Sequence, residues 1–170
     1  MDSRLKLLLE ILKVNDQLFQ NCLAAVDDAT AWRRPNDKTN NLVFLGLHLV
    51  DARFFLAGKL GSAAENPLRR FCEGVRGIDD FSEFPSVAEL LDGWSAAAAA
   101  LKDALDAVPI ETLDAEASFK FPVGDRSWLG GVAFLMQHES YHIGQMALLR
   151  KYFGLEAMTY EGLGSGGAGS

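Results

Sequence analysis

Apolar residues recur at helical spacing in four separate stretches of the chain. In the first stretch, Leu5, Leu8, Leu12, Phe19 and Cys22 fall on one face, and lysine, aspartate and glutamine fall on the other. This period of about 3.6 residues indicates an amphipathic helix with one side in a core. The four predicted helices run from Asp2 to Val26, from about Leu42 to Lys59, from Ser86 to just before Pro109, and from Ser127 to about Phe153.

The residues at the helix ends support these boundaries. Ser86 and Glu89 have the spacing of a capping box, in which each side chain accepts a hydrogen bond from the other residue's backbone amide. Ser127 is a good N-cap for the last helix, and Gly61 and Gly154 are suited to end the helices that precede them. The polar and glycine-rich stretches between the helices are therefore predicted to be connections.

These helices predict an all-α, four-helix bundle. The connection between the second and third helices, residues 61–85, is too long for a tight hairpin and can cross one end of the bundle. Residues 117–121 alternate like a strand, but they have no partner strand, so residues 110–125 are predicted to be an ordered loop. Residues 1–156 are expected to form a single domain, and residues 157–170 a flexible tail rich in glycine and serine.

The composition fits one globular domain and narrows its partners. The 170 residues are 49% hydrophobic and 23% charged, and 23 acidic residues against 16 basic ones give a net charge of -7. So acidic a chain is expected to repel nucleic acid. No apolar run approaches the roughly 20 residues that span a bilayer, and no leader-like segment follows Met1. With only Cys22 and Cys72, in no metal-ligand spacing, we expect a cytoplasmic protein with reduced thiols.

The chain has three histidines, and two of them have the spacing of metal ligands. His138 and His142 are four residues apart, so on a helix they lie one turn apart on the same face. Both fall in the apolar stripe of Leu135 and Leu149, and His48 falls in a similar stripe of the second helix. We therefore expect all three imidazoles to point into the core. Each buried imidazole without a partner would cost about 1–3 kcal/mol, whereas one shared divalent ion would satisfy all three.

Two other interpretations of these residues are open. Each histidine could be a hydrogen-bonded core residue that binds no metal. The segment from His138 to His142 also matches the H-E-x-x-H pattern of zinc metalloproteases, with Glu139 as the general base. The protease interpretation is less favoured, because Glu139 can equally lie on a solvated helix face and a helical bundle offers no edge strand to hold a peptide.

Three histidine ligands would leave at least one coordination position open, as in catalytic zinc sites. Because imidazole suits several ions, we expect zinc or nickel first, with iron, manganese or copper as alternatives. Ligand histidines usually donate their second N–H to a carboxylate or a carbonyl. The candidates for that contact, or for contact with bound water, are Asp51, Glu139, Asn15 and Gln145, each of which could equally serve only packing or solvation.

The two histidine segments resemble the motifs of a known family. NLVFLGLHLV at residues 41–50 and HESYHIGQ at residues 138–145 are similar to the second-helix and fourth-helix motifs of the DinB/YfiT-like superfamily. Their order and their separation of about ninety residues also agree. The similarity spans most of residues 3–155.

This resemblance implies an up-down-down-up bundle with a long crossover between helices 2 and 3, a divalent ion held by His48, His138 and His142, and frequently a homodimer. Characterised relatives include S-transferases that use low-molecular-weight thiols such as bacillithiol or mycothiol, and a mycothiol-dependent isomerase. We therefore expect a metalloenzyme of the thiol S-transferase or hydrolase kind that acts on a small molecule, with a thiol as a further cofactor. A non-catalytic bundle that binds a metal or a small ligand is the alternative.

Overall fold

The computed structural model describes residues 2–160, which form seven α-helices and one short 3₁₀ turn at Ile78–Asp80. The only β-structure in these residues is an isolated bridge between Glu116 and Ser127, so the predicted all-α class is confirmed. None of the described helices is both long and apolar enough to cross a membrane. In chain order the helices are α1 (Leu5–Leu23), α2 (Asp28–Trp32), α3 (Leu42–Lys59), α4 (Arg69–Cys72), α5 (Val87–Ala107), α6 (Ile110–Asp114) and α7 (Trp128–Tyr152).

The end signals in the sequence mark the ends of three long helices correctly. Helix α3 has the predicted bounds, and α5 begins with the predicted capping box, in which the Glu89 N–H donates to Ser86 Oγ at 3.2 Å and the Ser86 N–H donates to Glu89 Oε2 at 2.8 Å. Gly61 and Gly154 have φ values of +103° and +82°. That left-handed region is free of strain only for glycine, which explains why α3 and α7 end there.

The short elements are where the prediction was incomplete. Helix α1 begins and ends three residues inside its predicted bounds, and Ala25, at φ +57°, turns the chain away. Helix α2 follows at once because the Asp27 carboxylate accepts the Thr30 N–H at 2.7 Å and caps it. Helices of four or five residues carry too little periodicity to be recognised from sequence, so α2, α4 and α6 were not predicted.

Helix α3 is covered on most sides, and its one exposed strip carries His48. It packs against α5 and α7 and also contacts α2 and α4, whereas α1 packs against α7 and α5. Most apolar residues of α3 are therefore buried. The exposed positions in its middle turns are His48, Asp51 and Phe55, which are three and four residues apart and form one strip.

Residues 161–170, which include most of the predicted flexible tail, lie outside the described residues. Just before them, the Met158 sulfur lies 3.3 Å from Cys22 Sγ, and Met158 packs against the core. Burial raises the pKa of the Cys22 thiol to about 12. Cys22 therefore serves as a small apolar residue on the buried face of α1. The division at residue 156 stays a prediction.

Candidate metal site

Helices α3 and α7 bring the three histidines of the chain together. Nε2 of His48 lies 2.8 Å from Nε2 of His138. The three ring centroids, including that of His142, are 4.5 to 5.0 Å apart. One ligand nitrogen from each ring lies within 4.8 Å of the other two. The group is therefore compatible with binding of one metal ion.

The histidines lie at the edge of the core, so the prediction that all three point inward was wrong. His48 is exposed, and His138 and His142 are half-buried. Each residue advances a helix by about 100°, and the buried side of α7 is turned by about one residue from the stripe that the sequence suggested. That side includes Val132, Leu135, Met136, Glu139, Ile143 and Met146. The edge position leaves the histidine cluster open to solvent and to small molecules.

The surroundings of the cluster favour neutral imidazoles. Partial loss of hydration, and then the charge of His142, lower the pKa of His48. Partial loss of hydration, and then the charges of His48 and His142, lower the pKa of His138 to about 4. A neutral imidazole keeps a lone pair on one nitrogen, as a metal ligand requires. Both rings therefore suit metal binding at neutral pH.

Gln145 fixes the orientation of the third ring. Its Oε1 atom lies 2.7 Å from His142 Nδ1, one turn along α7, and its Nε2 atom donates to the Tyr141 hydroxyl at 3.3 Å. An amide oxygen only accepts hydrogen bonds, so Nδ1 of His142 carries the proton. In a neutral imidazole with its proton on Nδ1, the other nitrogen, Nε2, has the free lone pair. Gln145 was one of the four candidates for such a contact with a histidine.

Substitution of Gln145 by leucine is expected to weaken metal binding without removing a ligand. The His142 ring would lose the acceptor that sets its proton and its orientation, and such changes cost about 10- to 100-fold in metal affinity. Competition of Gln145→Leu with a chelating dye for Zn²⁺ measures the effect. Gln137 is an exposed glutamine on the same helix, so Gln137→Leu is the matched control. Equal affinities in the two variants would contradict the assigned contact.

Glu139 points away from the histidines and is fully buried in an ion pair. Its Oε1 accepts from Arg53 Nε at 2.6 Å and its Oε2 accepts from Arg53 Nη2 at 2.9 Å, with both side chains 0% exposed. Arg53 also donates to Asp16, and Asn15 donates to Glu139 Oε2 at 3.1 Å. The solvated position considered for Glu139 was wrong. A protease base must face a water molecule beside the metal, whereas both oxygens of this carboxylate are buried in the ion pair. The metalloprotease interpretation therefore does not fit.

Arg53 is the residue of this region that the sequence interpretation missed. Burial alone would lower its pKa, but its hydrogen bonds and ion pairs with Glu139 and Asp16 raise it, so the guanidinium stays charged. The guanidinium carbon lies 3.5 Å from the centroid of the Trp94 ring. A signal was present: Arg53 follows Leu49 by four residues and precedes Leu56 by three. A charge in such an apolar stripe needs a buried partner, and Glu139 occupies the corresponding place in α7.

The other polar candidates have different partners. Asn15 is buried and also donates to the Met136 carbonyl at 3.2 Å, so it contacts something polar inside the core. Asp51 accepts from Asn66 Nδ2 at 3.1 Å. Of the four candidates, Gln145 is thus the one bonded to a histidine within residues 2–160.

Two cavities meet at the histidine cluster. One has a volume of about 310 Å³ and is lined by His48, His138 and mostly aromatic side chains. The other has a volume of about 120 Å³ and includes Arg76 and Cys72 in its lining. His48 and Asp51 line both cavities. A molecule in either one would therefore lie beside the histidine cluster.

Gly131 allows the loop before α7 to close over the larger cavity. A Cβ atom at this position would lie 2.4 Å from Phe121 Cε2. Gly131 therefore serves close packing of α7 against this loop. At Gly144, a Cβ would meet nothing within 4 Å among the described residues.

These two glycines give a matched pair of substitutions on one helix. Gly144→Ala should raise the free energy of unfolding by about 0.5–1 kcal/mol, because alanine favours helix more than glycine does. Gly131→Ala should gain nothing net, because the new methyl group must displace the Phe121 ring. Urea denaturation measures both values. Equal stabilisation by the two substitutions would show that Phe121 does not pack on Gly131.

The fold and the cluster define an α-helical protein with a candidate three-histidine metal site. The model of the DinB superfamily matches residues 11–146, and the chain belongs to that superfamily. The suspected family resemblance is thereby confirmed. No curated protein matches the chain.

Proposed function

We propose that this protein is a metal-dependent enzyme in which His48, His138 and His142 hold one divalent ion, with zinc or nickel as the preferred metals. The observation that carries this proposal is the position of the cluster, with one ring exposed, two half-buried and two cavities beside them. A site that served only stability would gain nothing from such access. The reaction proposed is a thiol S-transfer or a hydrolysis.

The chemistry of the residues fits this role. Three imidazoles supply neutral nitrogen ligands, with the pKa lowered at His48 and His138 and with Gln145 holding the proton of His142 on Nδ1. A bound divalent cation would supply Lewis acidity, which lowers the pKa of a thiol or water beside it and gives a nucleophile at neutral pH. Arg53 and Glu139 join α3 to α7 close to the cluster and would keep the rings in register.

The proposed helix directions are up-down-down-up, and the contacts between helices support them. Asn15 contacts Glu139 and Cys22 Sγ lies 3.6 Å from the Ile143 carbonyl, so the sequence order in α1 follows that in α7. Helix α3 would run antiparallel to α7. His48, early in α3, contacts His142, late in α7, whereas Phe55, late in α3, shares a cavity with Gly131, early in α7.

Helix α5 would then run with α3. A Cβ at Gly46 would contact Leu90, and Arg53 stacks on Trp94. The later residue of α3 thus contacts the later residue of α5, as expected for parallel helices. Residues 61–85 would provide the crossover that two neighbouring parallel helices require.

The cavities favour a reaction of two small molecules. The apolar cavity and the smaller cavity with Arg76 meet at His48. A thiol cosubstrate in one cavity and an electrophile in the other would both lie beside His48, which favours S-transfer over simple hydrolysis. Cys72 lines the smaller cavity, but burial raises the pKa of its thiol to about 11, so it would not itself be a thiolate nucleophile at neutral pH.

A homodimer in the cytoplasm is proposed as the working state. The groove between α1 and α5 supports it, because this groove has a volume of about 590 Å³ and an apolar floor that includes Leu9, Ala98 and Ala99. Leu7 at its rim is 78% exposed. A second copy of the chain would cover this apolar surface.

The test combines metal analysis with turnover. Protein made without a histidine tag is analysed for metal, and then assayed for thiol consumption with bacillithiol, mycothiol and glutathione against a panel of electrophiles and esters. Metal-dependent turnover that His48→Ala abolishes is the expected result. A fully metallated protein that is inert across the panel would favour the alternative, a non-catalytic metal-binding or ligand-binding bundle.

A further inference from the structure

We propose that the apolar cavity beside the histidines binds an uncharged aromatic group of a small-molecule ligand. This inference rests on the proposed function, because it names the class of substrate that would be presented to the histidine cluster. The cavity is a separate observation from the cluster, since most of its lining comes from residues that hold no candidate ligand atom. The proposal can therefore be tested without turnover.

Aromatic rings line the cavity in a continuous row that ends on a histidine. Phe55 contacts Phe119 edge to face at a centroid distance of 5.6 Å, and Phe119 contacts Phe121 in the same way at 5.2 Å. Phe121 lies 5.9 Å from Phe134, and Phe134 lies 5.4 Å from the His138 ring. A flat aromatic ligand can stack on or edge against such rings. One that does so would have its other end at the histidines.

The cavity offers little to an anionic ligand. Among residues 2–160, Asp51 is the only ionisable residue in its lining apart from the two histidines. A carboxylate there repels an anion, and the described part of the chain places no lysine or arginine in the lining to pair with one. Its volume of about 310 Å³ is at the lower end for small-molecule sites. An uncharged aromatic ligand of up to three rings therefore matches the cavity in both size and polarity.

The wall of the cavity is formed in advance. Phe119 and Phe121 belong to the segment between α6 and α7. Backbone hydrogen bonds join the two ends of this segment. The Ala117 N–H donates to the Arg126 carbonyl at 2.9 Å, and the Trp128 N–H donates to the Ala115 carbonyl at 3.2 Å. Phe119 is 51% exposed even so. An exposed aromatic ring on a fixed loop is costly in water, and a ligand that covers it gains apolar contact without first ordering the loop.

Two fluorescent probes with the same ring skeleton test the proposal on the full-length protein. N-phenyl-1-naphthylamine is uncharged, and 1-anilinonaphthalene-8-sulfonate adds one negative charge to it. We expect saturable binding of the uncharged probe at one site per chain, and binding of the sulfonate at least about tenfold weaker. Equal binding of both probes, or no saturable binding of the uncharged one, would overturn the proposal.

Substitutions locate the probe in this cavity. Phe119→Ala removes an exposed ring, so the fold should be kept, and we expect the uncharged probe to bind about tenfold more weakly. Tyr152→Ala removes another exposed ring, 64% exposed near the end of α7, and should leave probe binding unchanged. Unchanged binding in Phe119→Ala would overturn the proposal. So would a wild-type protein that binds no probe and whose Phe119→Ala variant sediments as a smaller species, because the rings would then cover a contact between copies.

A comparison of probe binding with enzymatic turnover separates this inference from the proposed function. If the probe binds as described but the metallated protein turns over nothing, the enzyme proposal fails and the aromatic site stands. If thiol transfer occurs at equal rates with aromatic and aliphatic electrophiles, and is not inhibited by the uncharged probe, the enzyme stands and the aromatic site fails. Inhibition of transfer by the probe, with a preference for aromatic electrophiles, supports both.

Discussion

Arg53→Ala is expected to lower the free energy of unfolding by about 3–5 kcal/mol, because removal of one partner leaves the other charge buried and unpaired. Glu139 is 0% exposed and receives two hydrogen bonds from Arg53, so its carboxylate would lose both while it stays buried. Trp94 would also lose the ring face contact with Arg53. Urea denaturation of the metal-free protein measures the loss without any contribution from a bound ion.

Two comparisons show whether the loss of stability comes from an unpaired buried charge. Arg69→Ala removes one member of an exposed pair with Glu73, in which the side chains are 74% and 69% exposed, and should cost no more than about 1 kcal/mol. The double variant with Arg53→Met and Glu139→Leu removes both buried charges and should recover much of the stability. A loss below about 1 kcal/mol in Arg53→Ala would show that the pair is solvated.

The long helices could be predicted because their signals are local. Ser86 and Glu89 bond each other across one turn, and Gly61 and Gly154 stop helices through their own backbone conformation. These effects need no knowledge of the rest of the fold. Helix α3 accordingly has the bounds that its sequence indicates.

The orientation of the site residues could not be predicted so well, because helical phase depends on what each helix packs against. His138 and Glu139 are neighbours, and a rotation of about 100° decides which one enters the core. Apolar residues on both sides of α7 made the two choices look alike. Charge distinguishes the two choices. A buried arginine on α3 requires a buried acid, and Glu139 on α7 supplies it when this side of the helix faces the core.

The aromatic cavity depends on contacts that are distant in sequence. Phe55 lies on α3, whereas Phe119 and Phe121 lie in a segment that was predicted only to be an ordered loop. Nothing local in that segment indicates which side of the bundle it covers. The meeting of these rings follows from the packing of α3 against α7, and the place where they meet is fixed by the absence of a side chain at Gly131.

His48→Ala is expected to lower the affinity for Zn²⁺ by about 100- to 1,000-fold. Four-ligand structural zinc sites bind with about 10–16 kcal/mol, so one ligand accounts for roughly 3–4 kcal/mol, or between two and three powers of ten. His48 is exposed, so the same substitution should change the stability of the metal-free protein by less than about 1 kcal/mol. Competition with a chelating dye gives the affinity, and urea denaturation gives the stability.

Metal-dependent stabilisation distinguishes a lost ligand from a general defect. At a Zn²⁺ concentration 100 times the wild-type dissociation constant, bound metal should stabilise the wild-type protein by about 2.7 kcal/mol, and His48→Ala by about 0.4 kcal/mol or less. Gln137→Ala, beside His138 but exposed, should behave as wild type. If His48→Ala keeps the full stabilisation while His138→Ala loses it, the ion is held by α7 alone. His138 and His142 would then be the ligands, and His48 would not bind the ion. The contact of α3 with α7 through Arg53 and Glu139 would have no part in metal binding.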